Sequence, residues 1–449
     1  MSARGQFSSR LGFIMAAAGA AVGLGNIWGF PTQVASNGGG AFVLVYLLLT
    51  LTLAYPVLMA ELTIGRYAQA NMIDAMQKIS DNQTGKKIGK ATGWWGLCTV
   101  SIILSFYSIV AGWMIAYFLQ SLSLIVGWQG LSNWLVTFSI ERNIIFCTIF
   151  SLLTINIVRH GVSDGIEKWS SRLMPVLFIL IVSMIIYIST LEGASEGWRV
   201  YLVPDFSKIL QPELLVSAMG QAFFSLSLGV GCMLIYGSYI NKKENLVSLG
   251  LSVALVDCGI AILAGMLIIP AMYVALHNGV TIFGPQGELI DGDQLIFTVI
   301  PALFSSMGQV GNIISAAFFL LMSIAALTSS ISMLEVPVAY SLESNEGSRQ
   351  KRTVVIGLII LLISIVVIFL FEKLFGFIVI LTTQYSQPLI SLITCIFVGW
   401  VWHRNKILEE LKQGNELLEL TLFWRIWPYY VKFICPIIII IMFIQTIRS

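Results

Sequence analysis

Charge is scarce in this chain. Of its 449 residues only 11% are Asp, Glu, Lys or Arg, against 57% hydrophobic, and the mean hydropathy is +0.87. A soluble protein of this length would display far more charge, because those four residue types are seldom buried. Lipid must therefore be the solvent for most of the chain. Histidine is rarer still: His160, His277 and His403 lie far apart, near span ends or in loops. No nucleophile–base pair accompanies them, which argues against an enzyme. No basic stripe interleaved with aromatics is present, and a net charge of +2 offers nucleic acid no footprint. The six cysteines (Cys98, Cys147, Cys232, Cys258, Cys395 and Cys435) all fall in apolar segments without a CxxC or a nearby His. That pattern reads as free buried thiols, not as disulfides or metal ligands. The first ten residues lack a cleavable signal pattern, since the apolar stretch behind them carries a helix-breaking Gly motif. Rings of pore-lining charge and a carbonyl filter, the marks of a channel, are missing too.

What abounds is apolar runs of about twenty residues. They place spans near 11–35, 41–69, 92–124, 143–158, 172–191, 211–239, 245–275, 311–341, 353–371, 374–402 and 427–447. A single integral domain over 1–449 is expected. The stretch 294–306 is amphipathic and reads as a re-entrant or surface helix within a long outer loop. The stretch 406–422 is too charged to span and reads as an inner interfacial helix. With the N-terminus inside, most of the 25 Lys and Arg fall on the inner side. The positive-inside bias then predicts an inner-membrane protein with a cytoplasmic N-terminus and an external C-terminus.

Two spans carry glycine clusters near their middles. The first reads GAAVGLGN over 19–26 and ends at Gly29-Phe30-Pro31; the sixth reads SLSLGVG over 225–231. Gly costs about 1 kcal/mol relative to Ala in a helix interior. One such cluster reads equally well as a close-packing seam of small residues. Two of them, each on the first span of a five-span half, favour unwinding, which is tolerated at membrane depth only beside a cavity or inside protein. The halves would be about 8–192 and 210–402, with an extra helix at about 427–447. Five is odd, so the second half enters from the opposite side. The expectation is an all-α membrane fold of 11 helices, a 5+5 inverted repeat with helices 1 and 6 discontinuous and the site between the halves.

Polar groups inside the spans sharpen this picture. Asp257, in LVDCGIAILAG, would cost about 2.5–3.5 kcal/mol if ionised there, and no Lys or Arg lies at similar depth. A bound cation is one partner; a protonated structural carboxyl is the other reading. Glu61 is expected to accept hydrogen bonds from unwound backbone, and Glu335 also lies in or near a span. Thr328-Ser329-Ser330 either bond back to the preceding turn or, with the Ala325 carbonyl, form an all-oxygen pocket for a hard monovalent cation such as sodium.

Four motifs in order, RLGFIMAAAGAAVGLGNIWGFP, GWRVYLVPDFSK, GQAFFSLSLGVG and LTSSISMLEVPVAY, resemble the neurotransmitter:sodium symporters, in particular their eleven-span bacterial members. The resemblance implies two sodium sites. The first would use the Ala21 carbonyl, Asn26 and Ser225, with help from Asp257. The second would use carbonyls of Gly19, Val22 and Ala325 and the hydroxyls of Thr328 and Ser329. It also implies a substrate pocket bounded by Ala20, Leu24, Gly25, Ile103, Tyr107, Phe224, Ser227, Val230, Ser329 and Met333. Tyr107 would hydrogen-bond the polar end of the substrate, Phe224 would close over it, and Arg4 would pair with Glu343 as an inner gate.

Three departures from the family pattern bear on function. Gly29 stands where the family has an Arg, and Val379 stands where its acidic partner would be, so the outer ion-pair gate is absent as a unit. Outward closure then rests on Phe224 and Tyr107 beneath a more apolar vestibule. Asp257 stands near the family's sodium-ligating Asn, which implies transport independent of chloride and a weaker need for a substrate carboxylate. Val230 replaces a Phe of the leucine transporter and widens the pocket, and Met333 is long and adaptable. The expected function is sodium-coupled import of a small neutral, hydrophobic or aromatic amino acid, or of an uncharged amide or amine, by alternating access. A proton-coupled or exchange transporter of the same fold and a receptor that binds without transporting are the alternatives.

Overall fold

The structure is a computed structural model that describes residues 5–284, 295–344 and 347–448. Among them every regular element is helical, as apolar solvent demands of a chain that must satisfy each backbone N–H and C=O internally. Chain order runs α1 (Arg10–Ala21), α2 (Gly25–Ser36), α3 (Gly40–Ala68), α4 (Met72–Lys78), α5 (Gln83–Val126), α6 (Gln129–Leu135), α7 (Ile140–Val158), α8 (Val162–Ser189) and α9 (Ala194–Leu202). It continues with α10 (Pro212–Ser225), α11 (Cys232–Gly237), α12 (Leu246–His277), α13 (Leu295–Ser306), α14 (Gly308–Glu343), α15 (Arg349–Phe369), α16 (Phe371–Val401), α17 (Arg404–Lys412) and α18 (Leu422–Ile447).

Helix starts follow local chemistry. Ser9 Oγ accepts from Gly12 N–H at 2.9 Å, Asn82 Oδ1 from Gly85 N–H at 2.6 Å and Asn245 Oδ1 from Ser248 N–H at 3.1 Å, each satisfying a donor that the first turn leaves open. α5 ends at Gly127, whose φ of +83° suits glycine alone. The third span, expected from 92, starts nine residues earlier under the Asn82 cap, a polar extension that hydropathy does not see.

Nine helices are long and apolar enough to cross a membrane among the described residues, ten when α1 and α2 count as one span bent by 56°. The stretch 211–239, read as one further span, is two helices, α10 and α11, each too short to cross alone. α5 and α14 pack along much of their length and gather α7 and α15, while α12 gathers α1, α2 and α3. The broken segments lie between these two groups. α13 buries Leu295, Ile296, Val299, Ile300, Leu303 and Phe304 against α12 and α14, so this amphipathic stretch is covered by protein; its first expected residue, Gln294, lies outside the described residues. α17 is the short charged helix expected near 406–422, and it ends sooner, at Lys412. All six cysteines are free. Five are buried, and Cys98 departs from the expectation in being exposed, because it lies on an outward face of α5.

Candidate functional site

Both glycine clusters are breaks. Val22 leaves α1 with extended backbone (φ −70°, ψ 100°), and the chain re-enters helix through a wide π-helical turn at Gly25–Gly29. Between α10 and α11 the residues 226–231 include Ser227 at φ +51°, Gly229 at +77° and Gly231 at +78°. A left-handed serine is uncommon and costs about 1–3 kcal/mol. Its Oγ donates to the Ala20 carbonyl at 3.2 Å, so one break braces the other. Glu61 has the part expected of it from the sequence: its Oε1 accepts the Gly229 N–H at 2.7 Å.

Two oxygen-rich clusters flank the breaks. In the first, the Asn26 amide nitrogen donates to Asp257 Oδ1 at 2.7 Å and to Ser225 Oγ at 2.9 Å, and Ser225 Oγ donates to Asp257 Oδ2 at 2.6 Å. All three residues are buried, and among the described residues Asp257 has no cationic partner. Asn26, Ser225 and Asp257 come from three different elements, α2, α10 and α12, so only the fold assembles them. In the second cluster, Ser329 Oγ reaches across to the carbonyls of Gly19 at 3.2 Å and Val22 at 3.1 Å. Thr328 Oγ1 instead bonds back to Ala325 O at 3.0 Å and Ile324 O at 3.2 Å. The two adjacent hydroxyls thus divide between the two behaviours that the sequence allows them. With carbonyls, hydroxyls, an amide and one carboxylate, the donor chemistry suits a hard monovalent cation.

Between the clusters lies a pocket lined by Ala21, Leu24, Gly25, Ile103, Tyr107, Phe224, Ser227, Val230, Ser329 and Met333, together with Gly23, Val100, Phe106 and Gln387. The last four are not anticipated from the sequence. Ala20 stands behind the wall, fully buried, and contributes only its carbonyl to Ser227. Tyr107 Oη accepts the Leu24 N–H at 3.3 Å, which points the hydroxyl at the broken backbone. Phe224 is 38% exposed and lies over Gly25, where an added Cβ would sit 2.9 Å from its ring. Gly25 therefore has to be small for the aromatic lid to rest there.

Gln221 fills the space beside Gly29 and donates from Nε2 to the Gly25 carbonyl at 2.8 Å. Above it, Trp113 packs on Phe297, Phe371 and Phe375 with ring centroids 5.6, 5.8 and 6.2 Å apart, and Phe106 meets Phe375 at 6.0 Å.

At the face carrying the N-terminus, Arg4 lies outside the described residues, so the Arg4–Glu343 pair is not seen. Glu343 Oε2 accepts from the Asn71 N–H at 3.0 Å and from Asn71 Nδ2 at 2.8 Å. A second acid lies at this end. Buried Glu335 accepts the Tyr239 hydroxyl at 2.6 Å and is paired with Arg349. Ser8 donates to Glu167 through N–H and Oγ, both at 2.7 Å, and Phe7 N–H reaches Tyr239 O at 3.2 Å. The leading segment is thereby tied to α8 and to the end of α11. Nearby, fully buried Arg66 pairs with Glu410 of α17 at 2.7 Å. The only sequence sign of these latches is charge within or next to apolar runs.

The sequence profile of the sodium:neurotransmitter symporter family matches residues 4–143 and 136–449. An uncharacterized sodium-dependent transporter of Bacillus subtilis (strain 168) is 35% identical, with 98% of this chain and 97% of that protein covered. One from Haemophilus influenzae is also 35% identical, over 99% of this chain and 98% of that protein. The crystal structure of MhsT in complex with L-phenylalanine superposes with a TM-score of 0.83 at 34% identity, covering 99% of this chain and 100% of that one.

Proposed function

The chain belongs to the sodium:neurotransmitter symporter family, and from that premise we propose that it imports a hydrophobic or aromatic amino acid with two sodium ions by alternating access. It is a multi-pass, sodium-dependent membrane transporter and not an enzyme. The observation that carries the proposal is the Asn26–Ser225–Asp257 cluster, seated where both interrupted spans open onto one pocket. Asn26, Ser225 and Asp257, with the Ala21 carbonyl, hold the first sodium. Gly19, Val22, Ala325, Thr328 and Ser329 hold the second. The pocket walls are apolar apart from a few oxygens, which favours a neutral solute; MhsT, of similar structure, was solved with L-phenylalanine.

The repeat of five and five spans, with 211–239 as the sixth span and α18 as an eleventh, gives the cycle its mechanics. Sodium fills the two oxygen clusters, substrate enters from outside, and Phe224 closes over it. The first and sixth spans then tilt about their breaks, and the Glu335–Arg349–Tyr239 latch on the cytoplasmic side opens. Two charges crossing about 100 mV provide about 4.6 kcal/mol at about 2.3 kcal/mol each, enough for roughly a thousandfold accumulation. Asp257 supplies a fixed negative charge beside the first sodium, so chloride is not required, and an uncharged amide or amine remains an admissible substrate. The neutral donors around Asp257 favour one rival reading, a proton-coupled carrier in which this carboxyl takes up H⁺.

A thermal-shift screen of amino acids, amides and amines on purified protein, in sodium and in potassium, tests the proposal. Stabilisation by a hydrophobic or aromatic amino acid in sodium alone is expected. Equal stabilisation in potassium, with uptake that follows a pH gradient instead, would replace sodium coupling with the proton reading.

A further inference from the structure

Of the four polar side chains that line the pocket, Tyr107, Ser227, Ser329 and Gln387, Gln387 alone is hydrogen-bonded to the broken sixth span and not to the first helix. Gln387 of α16 lines the pocket among Val100, Ile103, Phe106, Val230 and Met333 and is only 7% exposed. Its Nε2 donates to the Leu228 carbonyl in the broken sixth span at 3.1 Å. A carbonyl can only accept, so the orientation of the amide is set by that bond, and Oε1 is left as its acceptor. No donor among the described residues reaches Oε1, the atom is not sealed from solvent, and the residue that carries it lines the cavity. The other polar groups of the wall are engaged with the first helix. Ser227 and Ser329 donate to carbonyls of residues 19, 20 and 22, and Tyr107 receives the Leu24 N–H.

We propose that Gln387 Oε1 selects substrates whose aromatic side chain carries a hydrogen-bond donor, the indole or phenol class. This rests on the amino-acid reading above and narrows it. An apolar ring fills the aliphatic and aromatic wall, and the donor on its rim satisfies the waiting amide oxygen. A ring without a donor buries that oxygen unpaired, and a site built around a hydrogen bond rejects such analogues more strongly than a purely apolar pocket discriminates by size. The backbone of Gln387 also lies beside the unwound main chain: a Cβ on Gly229 would collide with the Gln387 backbone carbonyl oxygen. Recognition of the side chain is thereby linked to the break that moves.

The test compares ligand pairs on the unaltered protein in sodium: tryptophan with 1-methyltryptophan, and tyrosine with phenylalanine. The donor-bearing member of each pair should bind about tenfold more tightly, the size of one neutral hydrogen bond. Gln387→Leu should bring both ratios close to one, and Gln387→Glu, which keeps an acceptor, should preserve a preference for the donor-bearing member. Ratios near one in the unaltered protein, or ratios that persist in Gln387→Leu, overturn the proposal. Loss of sodium-dependent binding for all four ligands would instead overturn the amino-acid reading beneath it.

Discussion

Asp257 is a buried carboxyl surrounded by neutral donors, Asn26 and Ser225, with Tyr46 hydrogen-bonded to the same serine at 3.2 Å. An unpaired charge in such a place is costly, and a transported cation that supplies the missing positive charge resolves the cost. Asp257→Asn keeps the shape and removes the charge. It should raise the sodium concentration needed for half-maximal ligand binding about tenfold, the effect of losing about 1.4 kcal/mol of attraction, or make binding depend on chloride. Titrations in sodium chloride and sodium gluconate check this; ion dependence like that of the unaltered protein would take Asp257 out of coupling. That Asp257 is an oddity, needing either a bound cation or a proton, is readable in the sequence from its depth alone. The role of Gln387 is not, since nothing near it in the chain sets it apart from a polar residue facing another helix.

At the scale of the element, the two interrupted spans differ in how strongly they enforce their breaks. The first is held open by cross-bonds from Ser329 and Ser227, and the second by left-handed backbone at Ser227, Gly229 and Gly231. Gly229 combines a φ of +77° with a collision course toward the Gln387 carbonyl. Gly229→Ala should therefore cost about 1–3 kcal/mol and lower the melting temperature by a few degrees. Gly220→Ala in α10, where a Cβ meets nothing within 4 Å, is the comparison and should be neutral or mildly stabilising. Equal effects of the two substitutions in a detergent melt would show that the sixth span's break is not enforced by Gly229. Glycine spacing makes both breaks legible along the chain, because helix propensity is a local property. Which hydroxyl crosses to the other helix and which bonds back is not legible there: Thr328 and Ser329 are neighbours in sequence, both carry a hydroxyl, and they occupy different faces of α14.

Across the whole molecule, closure on one side is aromatic and on the other ionic. On one side of the pocket Trp113, Phe371, Phe375 and Phe297 pack together, while the face carrying the N-terminus holds Glu335 with Tyr239 and Arg349. Breaking one partner of a buried pair leaves a charge uncompensated. Glu335→Gln should accordingly reduce uptake into proteoliposomes at least about tenfold, ~1.4 kcal/mol or more, while sodium-dependent ligand binding in detergent survives. Parallel loss of binding and uptake would mean that Glu335 supports the fold and not the gate. The Arg4–Glu343 gate expected from family resemblance lies partly outside the described residues, and Glu343 is seen with Asn71. The Glu335 latch has no local signature, because its partners lie 96 and 14 positions away, Tyr239 in the turn after α11 and Arg349 at the start of α15.

The amino-acid sequence by itself determined the solvent, the helical class, most of the span boundaries and the positions of the two breaks. Each of these follows from hydropathy, periodicity or glycine content within a window of about twenty residues. Tertiary structure alone decided that Asn26, Ser225 and Asp257 meet, that Gln221 occupies the space beside Gly29, and that Gln387 lines the pocket with its amide nitrogen on the Leu228 carbonyl. Those contacts join residues between 32 and 231 positions apart. No local pattern encodes them, because a helix face acquires a partner only when the packed bundle brings one within hydrogen-bonding reach.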